Sequence, residues 1–428
     1  MPLDLDHLLS APLPSGTKGL PRLPRGFSVK DIAAQGWNLL AGDVPLPAAI
    51  IRTSALDNNL RVMQAYLDDA GVRLAPHGKT TMCPQLYERQ IDGGAWGITV
   101  ATVSQLMVAH DAGVARILIA NEVMGPAETA VLAQLSAERP ESAYYVLVDS
   151  LEGVRQLQEA FAGEAKAPKA RLLIEIGMAG GRCGVRNSGD GLALARTVAD
   201  CDRLTLCGIE GYEGLIVGPD PKADAPKVEA YLQTVLDVFK QCRDQGLFDE
   251  ADEVLLSAGG SVYFDLVAHM FAGDATPPVV PLVRSGCYLT HDSGFYRRLL
   301  AEVDRRDVLG SAPRLLPALE VWARVLSTPE PGWAILSAGK RDLSFDIDLP
   351  EPLWHAKPGG QPQAVSGWRI DRLSDQHAFL HTPDGDCPAV GDLIGLGISH
   401  PCTTFDKWPV LLEVDDAYTV TGGLKTFF

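Results

Sequence analysis

One lysine stands where a short strand is expected to end. The run Val72–Pro76 is short and apolar, which is typical of a buried strand, and His77, Gly78 and Lys79 follow it directly. Burial and neighbouring cations would lower the pKa of a lysine in such a place and leave a nucleophilic amine. An isolated lysine is more often a solvated surface charge, and a lone histidine is more often a packing residue. The interpretation of Lys79 therefore depends on what surrounds it.

Two later segments have the residue types of a phosphate site. Residues 257–261 read Ser-Ala-Gly-Gly-Ser and separate the apolar run Val254–Leu256 from a helical pattern, so backbone amides would converge at a helix N-terminus. Residues 284–288 read Arg-Ser-Gly-Cys-Tyr and follow the run Val280–Val283. Either segment alone is usually a turn, but barrels often hold phosphate at their last two strand ends, beside the first strand. The candidate residues are Ser257, Gly259, Gly260, Arg284, Gly286, Cys287 and Tyr288.

Two further strand ends carry polar groups among glycines. The segment Glu175–Val185 has several glycines that let the backbone approach a ligand closely, and its Arg182 offers a rigid set of donors for an anionic oxygen. The segment Gly208–Gly214 places Tyr212 in a similar setting. Together with Lys79, these residues predict one site at the C-terminal ends of a set of parallel strands.

A candidate metal pair lies much later in the sequence. His400 and Cys402 are two residues apart, and on an extended segment both side chains would point the same way and could bind one soft divalent metal. Two protein ligands are too few for a closed structural zinc site, so positions would stay open for water and substrate. Taken alone, such a spacing is more often an incidental histidine and thiol.

The composition of the chain narrows the classes of function. The 428 residues include 37 Lys plus Arg against 54 Asp plus Glu, and the formal net charge of −17 disfavours nucleic acid and anionic membranes as partners. No run approaches the roughly 20 apolar residues of a membrane span, and Met1–Ser10 does not resemble a signal peptide. The eight cysteines are scattered without a C-x-x-C pair, as expected for reduced thiols. We therefore expect a cytoplasmic protein that acts on a small molecule.

The order of elements favours a barrel. Short apolar runs alternate with amphipathic stretches, which predicts a (β/α)₈ barrel over residues 54–311, with a doubly wound open sheet as the alternative. Ser54 is expected to cap the first helix, Ala55–Ala70. The expected strands are Val72–Pro76, Gly97–Val100, Arg116–Ala120, Tyr144–Val148, Arg171–Ile176, Leu204–Gly208, Val254–Leu256 and Val280–Val283. The other expected helices are Val103–Ala112, Pro126–Ala137, Leu151–Phe161, Leu192–Ala199, Pro226–Gln245 and Val262–Phe271.

The rest of the chain predicts an all-β domain. Residues 312–428 contain short strand-like runs separated by Pro, Gly and Asp. Residues 1–53 form a Pro- and Gly-rich arm that ends in the apolar strand Leu46–Thr53, and we expect this arm to join the β domain. The strand-like runs are Leu315–Ser327, Gly332–Ala338, Gly367–Leu373, His377–His381, Asp392–Ile398 and Val410–Thr421.

Taken together, the motifs resemble those of a known enzyme family. The sequence is similar to the fold-type III pyridoxal-phosphate enzymes, the alanine racemase-like barrels. Within them it most resembles the branch of D-serine dehydratase, D-threo-3-hydroxyaspartate dehydratase and D-threonine aldolase. The similarity runs from about residue 45 to the C-terminus. It rests on residues 76–80, 177–185, 211–214, 257–260, 284–292 and 400–402, which occur in the expected order.

The resemblance implies roles for the candidate residues. Lys79 would carry pyridoxal 5'-phosphate covalently, with His77 beside it, and Arg182 would face the phenolic oxygen of the cofactor. Arg284 would lie near the pyridine nitrogen and leave it unprotonated, which suits a reaction that needs only a modest carbanion. The phosphate would be held mainly by backbone amides, those of Gly259, Gly260, Gly286 and Cys287.

The resemblance also implies a metal and an oligomer. His400 and Cys402 match the metal pair of this branch, in which dehydratases resemble His-x-Cys and aldolases more often His-x-Asp. The metal would be zinc or manganese. A homodimer is implied, with each site at the junction of the barrel and the β domain.

The leading hypothesis is a deaminating dehydratase. It would convert a D-3-hydroxy amino acid, such as D-serine, D-threonine or D-threo-3-hydroxyaspartate, into a 2-oxo acid and ammonia, with the Lys79 amine as base. A D-threonine-type aldolase that cleaves Cα–Cβ is the main alternative. A racemase would leave the metal pair without a role, and a pyridoxal-phosphate carrier would not need the β domain. The family commonly has Lys-Thr-His-Lys where residues 79–82 read Lys-Thr-Thr-Met, and residues 179–181, Ala-Gly-Gly, are smaller than usual, so the substrate is left open.

Overall fold

The computed structural model describes residues 3–218, 221–383 and 386–428. They form an eight-stranded sheet and a ten-stranded sheet. In chain order the strands are β1 Ala48–Arg52, β2 Arg73–Leu74, β3 Ile98–Val100, β4 Arg116–Glu122, β5 Ala143–Val148, β6 Ala170–Ile176, β7 Leu204–Gly211, β8 Val254–Ala258, β9 Val279–Val283, β10 Leu319–Glu330, β11 Trp333–Leu336, β12 Glu351–Ala356, β13 Gln363–Ala364, β14 Arg369–Leu373, β15 Ala378–His381, β16 Leu393–Gly397, β17 Val410–Val414 and β18 Val420–Lys425. The helices are α1 Asp6–Leu9, α2 Thr53–Asp69, α3 Pro84–Asp92, α4 Val103–Asp111, α5 Pro126–Glu138, α6 Leu151–Gly163, α7 Ser188–Ala199, α8 Pro221–Asp244, α9 Phe264–Phe271, α10 Phe295–Arg305 and α11 Cys402–Phe405.

Strands β2 to β9 form a closed parallel barrel. Neighbours in the chain are neighbours in the sheet, and β2 also pairs in parallel with β9, with Leu74 opposite Val283. Between β2 and β3, the Thr99 N–H donates to Pro76 O at 2.9 Å and completes the ring. The barrel predicted from the sequence is confirmed, and the closure excludes the open doubly wound sheet.

The strands are apolar because both of their faces are covered. β8 is buried along its whole length, as expected for a parallel strand under a layer of helices. Strand β7 contains an irregularity at Gly208, where φ is +151° and a Cβ would collide with Leu255 O. Only glycine fits there, and the irregularity sets the direction in which the end of β7 enters the site.

The second sheet combines the C-terminal part of the chain with its N-terminal arm. Strand β1 lies between β10, which is antiparallel to it, and β17, which is parallel to it. The arm before β1 is bound to the same sheet, since Leu39 N donates to Tyr418 O at 3.0 Å and Val420 N donates to Trp37 O at 2.8 Å. The expectation that the all-β domain takes up the arm is confirmed.

Several local expectations were wrong. Ser54 does not cap α2, because the helix begins one residue earlier and the extended residue at its N-cap is Arg52. Helix α8 begins at Pro221, so Pro226 lies inside it although proline favours the first turn of a helix. The run Val410–Thr421 is a hairpin, not one strand. Helices α3 and α10 and strand β12 were not predicted. No described helix is both long and apolar enough to cross a membrane.

Candidate active site

A cavity of about 470 Å³ lies where the C-terminal ends of the barrel strands meet loops of the second sheet. Its volume is within the range of about 300–1,000 Å³ that small-molecule sites usually have. Most of the predicted site residues line it, namely His77, Lys79, Arg182, Tyr212, Gly259, Arg284, Gly286, Cys287, His400 and Cys402. Three of them do not line it, namely Ser257, Gly260 and Tyr288.

Lys79 lies in a single 3-10 turn directly after β2. The turn is tightly packed, because the Tyr87 hydroxyl donates to Gly78 O at 2.9 Å and a Cβ on Gly78 would clash with its neighbours. Burial lowers the pKa of Lys79, the nearby Cys402 opposes this effect, and Arg182 adds to it. A lowered pKa increases the share of neutral amine, which is the form that attacks carbonyl carbons and accepts protons.

His77 is uncharged beside this lysine. Burial lowers the pKa of His77 well below its usual value, and the positive charges of Lys79 and Arg284 lower it further. The Nδ1 atom of His77 is buried, and no described residue forms a hydrogen bond with it. A buried polar atom without a partner is uncommon in proteins and points to a missing ligand.

Backbone amides of two loops are available for an anion. A Cβ on Gly286 would lie 2.7 Å from His77 O, so glycine lets this loop lie directly against the segment that follows β2. Among the described residues, no acceptor binds the N–H groups of Gly286, Cys287 and Ser261, all of which line the cavity. Backbone donors away from water are nearly always paired, so these three amides fit the phosphate of a cofactor.

Gly259 and Gly260 have a different partner from the one we expected. Their N–H groups donate to the carboxylate of Glu213, at 3.0 Å and 2.5 Å. The Glu213 side chain is completely buried; burial raises its pKa, and hydrogen bonds from backbone amides oppose that shift. A phosphate on these two amides would have to replace the carboxylate. The phosphate-binding role predicted for Gly259 and Gly260 stays a prediction, and in this structure Glu213 holds their turn in place.

Arg284 is fixed at the floor of the cavity. It forms a buried ion pair with Glu210 and donates to Gly211 O at 3.0 Å. Burial raises the pKa of Glu210, and Arg284 opposes this shift. Ser257 is not exposed to the cavity: its hydroxyl lies 3.2 Å from the Arg284 guanidinium and donates to Leu282 O at 3.1 Å. Ser257 therefore supports Arg284, and the direct cofactor contact we expected from it stays a prediction.

Of the two tyrosines in the predicted set, Tyr212 lines the cavity and Tyr288 does not. The guanidinium of Arg182 lies over the Tyr212 ring, 4.2 Å from its centre, and both residues line the cavity. Tyr288 is buried elsewhere, and its hydroxyl accepts a hydrogen bond from the Gln90 side chain at 3.1 Å. The chain turns after Cys287, so only the beginning of this segment reaches the cavity. The cofactor contact expected of Tyr288 stays a prediction, although Tyr288 does not line the cavity.

His400 and Cys402 both line the cavity, although they do not lie on an extended segment as we expected. Pro401 has helical angles, φ −55° and ψ −45°, and α11 begins at Cys402. Burial alone would lower the pKa of His400, but hydrogen bonds with Cys402 and Asp346 raise it to about 9. The Asp346 carboxylate lies 2.5 Å from His400 Nδ1. A carboxylate on one ring nitrogen orients the imidazole and leaves the other nitrogen for a metal.

The metal pair lies next to the reactive lysine. The Cys402 sulfur is 3.5 Å from the hydroxyl of Thr80, the residue after Lys79. A hydrogen bond with Cys287 lowers the pKa of Cys402 well below its usual value, which favours the thiolate that binds metals. The chemistry of this donor set, a thiolate and an oriented imidazole, fits a soft divalent ion such as zinc.

Sequence reasoning gave no role to several carboxylates and one thiol in and around the cavity. Glu122, Glu175 and Cys183 bring their ligand atoms within 4.8 Å of one another. Burial and the charge of Glu210 raise the pKa of Glu175 to about 10, so it stays protonated at neutral pH. Glu122 stands at a strand end and could have been found there. Asp346 lies in a loop of the second sheet, and no sequence signal connected it to His400.

Comparison with known proteins agrees with this architecture. The family model "Alanine racemase, N-terminal domain" matches residues 51–290, and the family model "Putative serine dehydratase domain" matches residues 318–414. A D-threonine aldolase of an Arthrobacter species is 28% identical over 92% of this chain and 94% of its own length. The D-threo-3-hydroxyaspartate dehydratase of Delftia sp. HT23 is 27% identical over 89% of this chain and 96% of its own. The crystal structure of a D-threonine aldolase from Filomicrobium marinum superposes with a TM-score of 0.75 at 29% identity and covers 91% of this chain and 97% of that one.

Replacing Glu213 with Ala should destabilise the fold, because the buried amides of Gly259 and Gly260 would lose their acceptor. We expect the free energy of unfolding to fall by about 2 kcal/mol or more, since an unsatisfied buried donor costs about 1–3 kcal/mol. Denaturant unfolding measures this. Glu213→Gln, which keeps one acceptor oxygen, should lose less.

The matched control is Glu229→Ala on the exposed face of α8, where a change within about 0.5 kcal/mol is expected. Equal stabilities for Glu213→Ala and Glu229→Ala would show that Glu213 does not hold this turn.

Proposed function

Because the chain belongs to the family of the alanine racemase N-terminal domain, and thus to the fold-type III pyridoxal-phosphate enzymes, we propose that it is a lyase of D-3-hydroxy amino acids. The reaction that we favour is a deaminating dehydration. D-Serine, D-threonine or D-threo-3-hydroxyaspartate would give a 2-oxo acid and ammonia. The enzyme would use pyridoxal phosphate and a divalent metal, zinc or manganese.

One observation carries this proposal: the amine and the metal pair face the same cavity from two different parts of the fold. Lys79 comes from the barrel, and His400 and Cys402 come from the second sheet. The contact between Cys402 and Thr80 links the two groups at 3.5 Å. A 3-hydroxy amino acid has its amino group and its hydroxyl on adjacent carbons, so one small substrate can reach both.

The residues of the barrel would bind the cofactor and move the α-proton. Pyridoxal phosphate, when bound, supplies an electron sink for a carbanion at the α-carbon. Lys79 would hold the cofactor, and its freed Nζ would take the α-proton, for which burial and a lowered pKa prepare it. The free amides of Ser261, Gly286 and Cys287 would bind the phosphate. Arg284, held in place by Glu210, would lie near the ring of the cofactor.

The residues of the second sheet would prepare the hydroxyl to leave. His400, oriented by Asp346, and Cys402 would hold the divalent ion, which supplies Lewis acidity to the departing oxygen. A thiolate ligand favours zinc over metals that prefer oxygen ligands. Dehydratases of this branch resemble His-x-Cys and aldolases more often His-x-Asp, so the Cys402 ligand favours elimination over Cα–Cβ cleavage.

Retro-aldol cleavage is the second candidate, and a specific observation favours it. The Arthrobacter D-threonine aldolase matches this chain over nearly its whole length. Cleavage would use the same cavity but would remove a proton from the β-hydroxyl and yield an aldehyde. A carrier of pyridoxal phosphate without activity would have no use for the metal pair. The homodimer and the cytoplasmic location stay predictions.

The products decide between the candidate reactions. With D-serine, D-threonine or D-threo-3-hydroxyaspartate, the purified yellow protein should release ammonia and a 2-oxo acid in equal amounts and no aldehyde. A chelator should suppress the release, and added zinc or manganese should restore it. Aldehyde without ammonia would contradict the dehydratase and support the aldolase. No turnover of any of these D-amino acids would contradict both.

Replacing Cys402 with Ala should remove the metal function and leave the cofactor in place. We expect kcat/KM to fall at least about 100-fold. Mutating residues that only hydrogen-bond to a metal ligand already lowers metal affinity or activity about 10–100-fold, and Cys402 would be a ligand itself. The visible absorbance of the bound cofactor should persist.

Cys387→Ala is the control, since Cys387 is an exposed free thiol that does not line the cavity. Full activity of Cys402→Ala would show that the metal pair has no catalytic role.

A further inference from the structure

An apolar side chain, Ile347, lines the cavity beside His400. The residues on both sides of it are bound to residues 398–402, which we call the metal-pair loop. The Asp346 carboxylate binds the His400 ring, and the Asp348 backbone exchanges two hydrogen bonds with the Ser399 hydroxyl, at 3.2 Å and 2.9 Å. Ile347 is 42% exposed, which is a large open surface for an aliphatic side chain inside a site. This surface is available for contact with a ligand.

A second apolar side chain, Phe295, lines the same region. It is the first residue of α10, and the chain just before it packs against the metal-pair loop. Ser293 N donates to Ile398 O at 2.8 Å, and a Cβ on Gly294 would lie only 2.9 Å from Ser399 Cβ. Ile347 and Phe295, which we call the apolar wall, therefore line the cavity from two segments that both pack against the residues next to the metal pair.

The charged residues near the apolar wall do not favour the binding of a substrate carboxylate. The arginines that follow Phe295 are already in ion pairs, Arg297 with Glu351 at 2.9 Å and Arg298 with Asp348 at 2.7 Å, and neither lines the cavity. Asp292, which does line it, adds a buried carboxylate. In the described part of the chain, this end of the cavity thus has no lysine or arginine side chain free for a substrate carboxylate.

The cations that do line the cavity belong to the cofactor end. Lys79 is the proposed attachment point, and Arg284 is neutralised by Glu210. Arg182 is stacked on Tyr212, where it would face the cofactor.

We propose that the β-substituent of the substrate is an uncharged alkyl or aryl group, as in D-threonine, and not a carboxylate, as in D-threo-3-hydroxyaspartate. This inference rests on the proposed function, in which the metal pair holds the β-hydroxyl. The other β-substituent must then lie beside His400, against the apolar wall. Apart from the metal that holds the β-hydroxyl, a carboxylate there would lose its hydration without gaining a cationic side chain, and Asp292 adds a second carboxylate to the same cavity. An alkyl or aryl group would instead bury apolar surface.

The experiment compares kcat/KM for D-threonine and D-threo-3-hydroxyaspartate, measured as the sum of all products so that elimination and cleavage both count. The wild-type enzyme should prefer D-threonine at least about tenfold, a typical size for discrimination by one small group. Ile347→Arg adds the missing cation and should shift the ratio toward the acidic substrate at least about tenfold. Ile347→Met is the matched neutral control and should leave the ratio near the wild-type value. The shift should lie mainly in KM.

The outcomes separate the inference from the function on which it rests. A wild-type ratio at or below one overturns the apolar wall as the specificity element and leaves the lyase proposal intact. Equal shifts by Ile347→Arg and Ile347→Met overturn it as well. If Ile347→Arg does not fold, the wild-type ratio decides alone. No turnover of any D-3-hydroxy amino acid overturns the proposed function, and the inference with it.

Discussion

Strands β2 and β9 lie side by side, and their pairing determines where every reactive group lies. Ala75 N donates to Val283 O at 2.8 Å, and the chain beyond each strand then continues to the same end of the barrel. Lys79 follows one strand and the free amides of Gly286 and Cys287 follow the other. Without closure of the barrel, Lys79 and these two amides would lie at opposite edges of an open sheet. The barrel therefore makes a lysine and a phosphate site into neighbours, although about two hundred residues separate them.

Two buried carboxylates beside the cavity are matched locally. Glu210 neutralises Arg284, and backbone amides stabilise Glu213. An unmatched buried charge would shift its pKa or destabilise the fold. This matching leaves Lys79 as the group whose pKa is lowered toward reactivity, beside a thiolate and an oriented imidazole. The second sheet supplies these last two groups, which explains why a barrel alone would not complete the site.

The sequence was sufficient for the barrel, the β domain and most of the cavity wall, because strand ends of a barrel converge and apolar periodicity shows where they are. Prediction from the sequence failed where the position of a side chain depends on long-range packing. Tyr288 follows a correctly predicted strand, yet the turn after Cys287 directs its hydroxyl to Gln90. Glu213 and Asp346 act through contacts with residues 46 and 54 positions away, and no local pattern signals such contacts.

The attachment of the cofactor to Lys79 is the claim on which the rest depends, and chemical reduction tests it most directly. Borohydride fixes a lysine-bound pyridoxal phosphate as a stable secondary amine, and peptide mass spectrometry then locates it. The label should lie on the peptide that contains Lys79 and should be absent from the Lys79→Ala variant. A label on another lysine, or an unlabelled but folded yellow protein, would contradict the account.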